Sequence, residues 1–200
     1  MRRIAFLFIL FFPALALAGA QKYEPLSASV RAALSHAIAD QAPPKSSFLD
    51  SMEAIDWLTE MSRRLEKRIA DPDTRLSLLR SVHYEATRAG LDPQLVLGLI
   101  QVESGFKKYS VSKAGARGFM QVMPFWVTAI GRSEDNLFHL RTNLRYGCTI
   151  LRHYLDLEAG DLYRALGRYN GSLGQAEYPN MVRAAWHKDW AYERPRIAAR

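Results

Sequence analysis

Apolar positions recur at helical spacing along most of the chain, and no run of alternating strand residues stands out. Between Ser47 and Ile69, Phe48, Met52, Ile55, Leu58, Leu65 and Ile69 recur at intervals of three, four and seven, and Arg63, Arg64, Lys67 and Arg68 crowd the far end. This predicts an amphipathic helix whose basic last turn complements the negative end of the helix dipole. Asp71-Pro72-Asp73 restarts the chain, and a second helix follows from Thr74 to Ala89, stopped by Gly90. Asp92 then reads as the N-cap, and Pro93 as the first residue, of a helix running into Glu103. Further helices are expected over Phe125 to Ile130, Thr142 to Leu157, Leu162 to Tyr169 and Pro179 to Trp190, with Gly-punctuated loops between them. A weaker helical stretch, Ser27 to Asp40, is closed by Pro43-Pro44, so residues 22–45 read as a leader or tether. The expected fold class is mainly α.

The first twenty residues follow a different rule. Met-Arg-Arg precedes a greasy run from Ile4 to Leu17 and then small residues through Ala20. That is the order of a secretory signal, and the run is too short for a membrane core that needs roughly 20 helical residues. Cleavage is expected near Ala18 or Ala20. No Cys follows the run, so the product is not a lipoprotein and carries no integral membrane segment. Loss of Arg2 and Arg3 lowers the formal charge from +7 to +5. A moderately basic exported protein suits an anionic envelope partner better than nucleic acid, although the charge serves solubility equally well. With 48% hydrophobic and 24% charged residues in 200, the composition is that of a globular domain, and one cysteine, Cys148, permits no internal disulfide.

In the helix opened by Pro93, residues advance about 100° each, so Val96, Leu99, Ile100 and Glu103 share one face. An acid therefore continues an apolar stripe. It is either a solvated helix-end carboxylate or a buried one that desolvation holds protonated near neutrality, as a general acid requires.

The residues beyond it tip the balance. Glu103-Ser104-Gly105-Phe106, the segment from Ser112 to Pro124 (Ser-Lys-Ala-Gly-Ala-Arg-Gly-Phe-Met-Gln-Val-Met-Pro), Asn143-Leu144 with Gly147, and Arg168-Tyr169-Asn170-Gly171 occur in this order. Together they resemble the catalytic domain of the family 1 lytic transglycosylases (soluble lytic transglycosylase-like, SLT domain), relatives of goose-type lysozyme that cleave peptidoglycan. The resemblance covers roughly residues 76–190. It implies a lysozyme-like fold for a catalytic domain taken as 73–190; outside it the residues read as a signal peptide (1–20), a helical N-terminal extension (21–72) and a basic tail (191–200).

The same resemblance implies Glu103 as the sole catalytic acid/base, with Ser104, Ser112, Gln121, Met123, Tyr169 and Asn170 as substrate-binding residues. Tyr169 and Asn170 would close the cleft and orient the acid. The implied partner is the peptidoglycan glycan strand, in the periplasm, and no cofactor is needed. One departure stands out: the family commonly has Ala-Tyr-Asn-Ala-Gly where this chain reads Arg168-Tyr169-Asn170-Gly171-Ser172.

Three readings follow. The first is a transglycosylase that leaves 1,6-anhydro-MurNAc ends. The second is a muramidase in which Asp135 or Asp161 positions water. The third is a wall-binding component of an envelope-spanning assembly, engaging a protein partner through residues 47–70. The five histidines lack metal-ligand spacing. Cys148 sits among Leu144, Leu151 and Leu155 on one helical stripe, as a buried small residue would. The aromatic and basic run from Trp186 to Arg194 is read as core packing followed by a frayed end.

Overall fold

The structure is a computed structural model, and it describes residues 21–39 and 52–193. These residues contain eight α-helices and no β-strand, so the chain is mainly α as expected. In order they are α1 (Ala28–Ala39), α2 (Met52–Leu65), α3 (Pro72–Arg88), α4 (Pro93–Ser104), α5 (Phe125–Ile130), α6 (Leu140–Leu157), α7 (Leu162–Asn170) and α8 (Glu177–Ala185). A π-helical turn, Trp186–Trp190, continues α8. The expected signal segment, Pro43-Pro44, Phe48 and the tail from Arg194 lie outside the described residues. No described helix is long and apolar enough to cross a membrane.

Local sequence sets the central helix. The Asp92 carboxylate accepts from the Gln94 amide at 2.7 Å, Pro93 opens the first turn, and Gly105 at φ +56° closes the last by donating to the Gln101 carbonyl. Leu95 through Ile100 are all buried, so α4 is apolar on every side and sits within the core, against α3, α8 and the π turn. At Gly98 a Cβ would stand 2.8 Å from the Trp186 nitrogen, so only glycine lets that turn lie on α4. The helix expected over Pro179 to Trp190 therefore begins two residues early and widens at its end. The wider turn seats Trp186 on Gly98 and still buries Trp190 fully, with the indole N–H donating to Gln101 at 2.9 Å. Core packing of this aromatic run is what the sequence led us to expect.

Helix α2 is rotated from its expected face. Ala54, Trp57, Leu58, Met61 and Leu65 are buried against α3, whereas Met52 and Ile55 are exposed. A stripe anchored on Trp57 and Met61 removes more apolar surface from water than one anchored on Met52 and Ile55. The helix stops at Leu65, so Ile69 rides on the following turn. Its basic end is tied back to the chain: Arg63 and Arg64 pair with Glu60, and Arg64 Nη1 donates to the Asp189 and Ala191 carbonyls at 2.9 and 3.0 Å.

Helix α1 packs on α5 and α6 through Leu34 and Ile38. Beneath it the fully buried Glu85 of α3 pairs with Arg88 at 2.9 Å and with Arg145 of α6 at 3.1 Å. Those arginines also donate to the α1 carbonyls of Ala37 and Ile38. Three helices are thus joined at one carboxylate.

Candidate active site

Glu103 lies in the last turn of α4 and is only 4% exposed. Burial pushes its carboxyl up to about 8, opposed by a hydrogen bond donated to Oε1 by the phenol of Tyr178. The other oxygen, Oε2, is enclosed and has no hydrogen-bond partner among the described residues. Tyr178 is buried as well, and its own ionisation is driven far upward by that burial and by the neighbouring carboxyl. The pair is therefore neutral at physiological pH, with the acid proton available.

The resemblance implies that Tyr169 helps to orient this acid. Tyr169 is fully buried, and its hydroxyl donates instead to the Met120 carbonyl at 2.7 Å. Tyr178 leaves a faint sequence trace, as the polar-tipped head of the apolar stripe Tyr178, Val182, Ala185 on α8.

Ser104, Ser112, Gln121 and Met123 lie in or against the loop from Phe106 to Pro124. Ser104 is buried, and its hydroxyl donates to the Phe119 carbonyl at 2.7 Å. Gln121 is buried at φ +48°, and its Nε2 donates to the Gly118 and Ser110 carbonyls at 2.9 and 3.1 Å. The Ser112 hydroxyl accepts from the Ala116 amide at 3.1 Å, closing the turn that contains Gly115. Met123 is half-buried where the loop enters α5, and Asn170 is buried at the end of α7. Two isolated antiparallel bridges, Val111 to Arg117 and Arg117 to Val122, complete the loop.

Asn143 of α6, read from sequence only as a helix start, organises this loop. Its Oδ1 accepts from the Met120 amide at 2.8 Å, while Nδ2 donates to the Arg117 and Leu137 carbonyls at 2.8 and 2.9 Å. Gly118, at φ +77°, leaves the space: a Cβ there would fall 2.4 Å from Asn143 Nδ2. So α4, α6 and α7 each contribute one side chain, Ser104, Asn143 and Tyr169, that grips the loop backbone beside the acid.

The unusual Gly171 adopts φ +81° and caps α7, with its N–H on the Arg168 carbonyl and the Ser172 N–H on that of Gly167. Arg168 pairs with Glu158 and, at 3.1 Å, with Glu24. Neither alternative carboxylate is idle: Asp135 accepts from the Tyr146 phenol at 2.6 Å and from the Arg132 amide, and Asp161 is the N-cap of α7. Cys148 is buried, and burial drives its thiol upward, away from the thiolate a nucleophile needs.

Residues 80–188 match the family model described as the transglycosylase SLT domain. The chain is 38% identical over 88 residues to a transglycosylase of Enterobacteria phage PRD1, a match covering 44% of this chain and 32% of the phage protein. It is 54% identical over 43 residues to membrane-bound lytic murein transglycosylase C of Actinobacillus pleuropneumoniae serotype 5b (strain L20), covering 22% of this chain and 12% of that protein. The protein of the same name from Haemophilus influenzae (strain PittEE) is 51% identical over the same length. The matches thus span about a third of the phage protein and about an eighth of the bacterial ones.

Proposed function

The chain belongs to the transglycosylase SLT domain family, and from that premise we propose that it is an exported peptidoglycan lytic transglycosylase. It cleaves the MurNAc-β-1,4-GlcNAc bond and leaves 1,6-anhydro-MurNAc ends in the periplasm. The observation that carries this reading is Glu103, an enclosed carboxyl raised to about 8 with one oxygen held by Tyr178. Most glycosidases need a second carboxylate as base or nucleophile. The engagement of Asp135 and Asp161 in backbone support favours a mechanism with one acid.

Glu103 protonates the oxygen leaving MurNAc C1, and that bond breaks. The resulting carboxylate then takes the proton of the same sugar's C6 hydroxyl as its oxygen closes on C1. Glu103 ends as it began, and no water is consumed. The attacking hydroxyl is already tethered to the reacting sugar, which removes much of the entropic barrier of bringing in a second reactant. Ser112, Gln121, Met123, Tyr169 and Asn170 shape the floor on which the sugars lie. For Ser104 and Gln121 the contribution runs through the loop they hold.

The test is mass spectrometry of muropeptides released from purified peptidoglycan by the wild type and by Glu103→Gln. Anhydro ends from the wild type alone are expected. Reducing MurNAc ends would show a hydrolase instead, and equal release by both proteins would remove Glu103 from the chemistry.

A further inference from the structure

Gln21 is 4% exposed, although the four residues after it are all exposed. Leu26 of the same segment packs part-buried against the core, and the Gln21 carboxamide goes inward. The oxygen accepts from the indole N–H of Trp126 at 2.9 Å and from the Met123 amide at 3.4 Å. Both groups can only donate, so the carboxamide orientation is fixed. Its nitrogen is enclosed beside the Tyr169 phenol, and the two side chains interact. Met123 and Tyr169 are residues already assigned to the glycan-binding floor.

A carboxamide and a sugar acetamido group share one carbonyl geometry and differ at the other end, NH2 against CH3. A pocket that satisfies the carbonyl with two donors therefore accepts either group at that end. The rest of the segment is held mainly at the surface: Tyr23 meets Phe125 edge-on at 5.6 Å, and Glu24 pairs with Arg168 at 3.1 Å. Contacts of that kind are individually weak. Glu103 Oε2 is itself enclosed, so entry of a glycan needs a rearrangement.

We propose that residues 21–27 form an internal stand-in for substrate: the Gln21 carboxamide occupies the pocket that receives the acetamido group of an N-acetylated sugar, and strap and glycan compete for it. This rests on the functional reading above. A glycan binds only the fraction of molecules in which the strap is out, so its apparent affinity is lowered by that fraction.

The test is calorimetric titration of the full chain with the N-acetylglucosamine trimer, and with the glucosamine trimer as the control lacking acetyl groups. Gln21→Ala is expected to bind the acetylated trimer about fivefold more tightly, the worth of one competing hydrogen bond, and the control no differently. In wall cleavage KM falls by the same factor and kcat is unchanged. Glu24→Gln, which loosens the strap without touching the pocket, moves affinity the same way by a smaller factor. Trp126→Phe, made in the Gln21→Ala background, weakens the acetylated trimer selectively. If Gln21→Ala binds the trimer no better than wild type while the wall is still cleaved, the stand-in proposal falls and the lytic reading survives. Tighter binding with no cleavage by any version supports the pocket and overturns the lytic reading. No binding by any version overturns the pocket.

Discussion

Tyr178 donates its phenolic hydrogen to Oε1 of Glu103 from 75 residues further along the chain. With Oε1 accepting from Tyr178, Oε2, which has no partner among the described residues, is the oxygen left to carry the carboxyl's own proton. One hydrogen bond therefore holds the acid in place and also decides which oxygen carries the proton to be given away. Burial supplies the other requirement, a carboxyl still protonated at neutral pH.

Tyr178→Phe keeps the ring packing and removes this donor, so the acid loses its orientation. Turnover is expected to fall about 100-fold, the scale of a small misplacement at a reacting centre. The hydrogen bond also pulls the Glu103 pKa down, so its loss shifts the alkaline limb of kcat/KM to higher pH. Tyr169→Phe acts elsewhere: it leaves the Met120 carbonyl unpartnered and costs about 1–3 kcal/mol of stability, with that limb in place. Steady-state pH profiles and thermal melts of both variants separate the two roles, and matching profiles would contradict them.

The wild-type profile is itself constrained. The free enzyme must meet substrate with Glu103 protonated, and its pKa is raised to about 8. On the side set by this group kcat/KM should be level up to that pH and then fall about tenfold per pH unit, the slope for losing one proton. A decline centred near pH 5 would mean that Glu103 is ionised in the working enzyme.

What the sequence carried and what it withheld divide along contact range. The cap at Asp92-Pro93 and the place of Glu103 on the apolar face of its helix are both written within a dozen neighbouring residues, and both are observed. Tyr178 and Asn143 act through partners far away in the chain, so their local pattern shows only an aromatic on a stripe and a polar residue at a helix start. Ser104 and Gln121 present hydroxyl and amide groups suited to a sugar. Residue type alone does not tell a sugar from the loop carbonyls they actually meet. The face of α2 was misjudged because spacing was counted without weighing Trp57 and Met61, the side chains with most surface to bury.

Glu103 also links stability to pH. Its pKa is raised on folding, from 4.5 to about 8, so the folded state favours the neutral form. The stability of the buried neutral carboxyl is fully present below about pH 4.5, is lost as pH rises toward 8, and changes no further above that. Glu103→Gln has no proton to lose. Its advantage over the wild type in thermal melts is therefore expected to grow across that window, to on the order of a few kcal/mol, and then level off. An advantage independent of pH would mean that the carboxyl is solvated.

The buried junction at Glu85 gives the last prediction. Arg88 and Arg145 both point at this carboxylate and both also donate to carbonyls at the end of α1. Glu85→Ala leaves the buried Arg145 and the part-buried Arg88 without their shared anion, and removing one partner of a buried ion pair costs about 3–5 kcal/mol. Deletion of one charge on each side is milder, because only the part-buried Arg88 then remains without its anion, so Glu85→Gln combined with Arg145→Met should recover part of the loss. The arginines would also be pulled away from the α1 carbonyls, so amide exchange in α1 should rise first and most. Uniform loss of protection across all helices would show that α1 is held by Leu34 and Ile38 alone, and that the junction serves the α3 to α6 contact only.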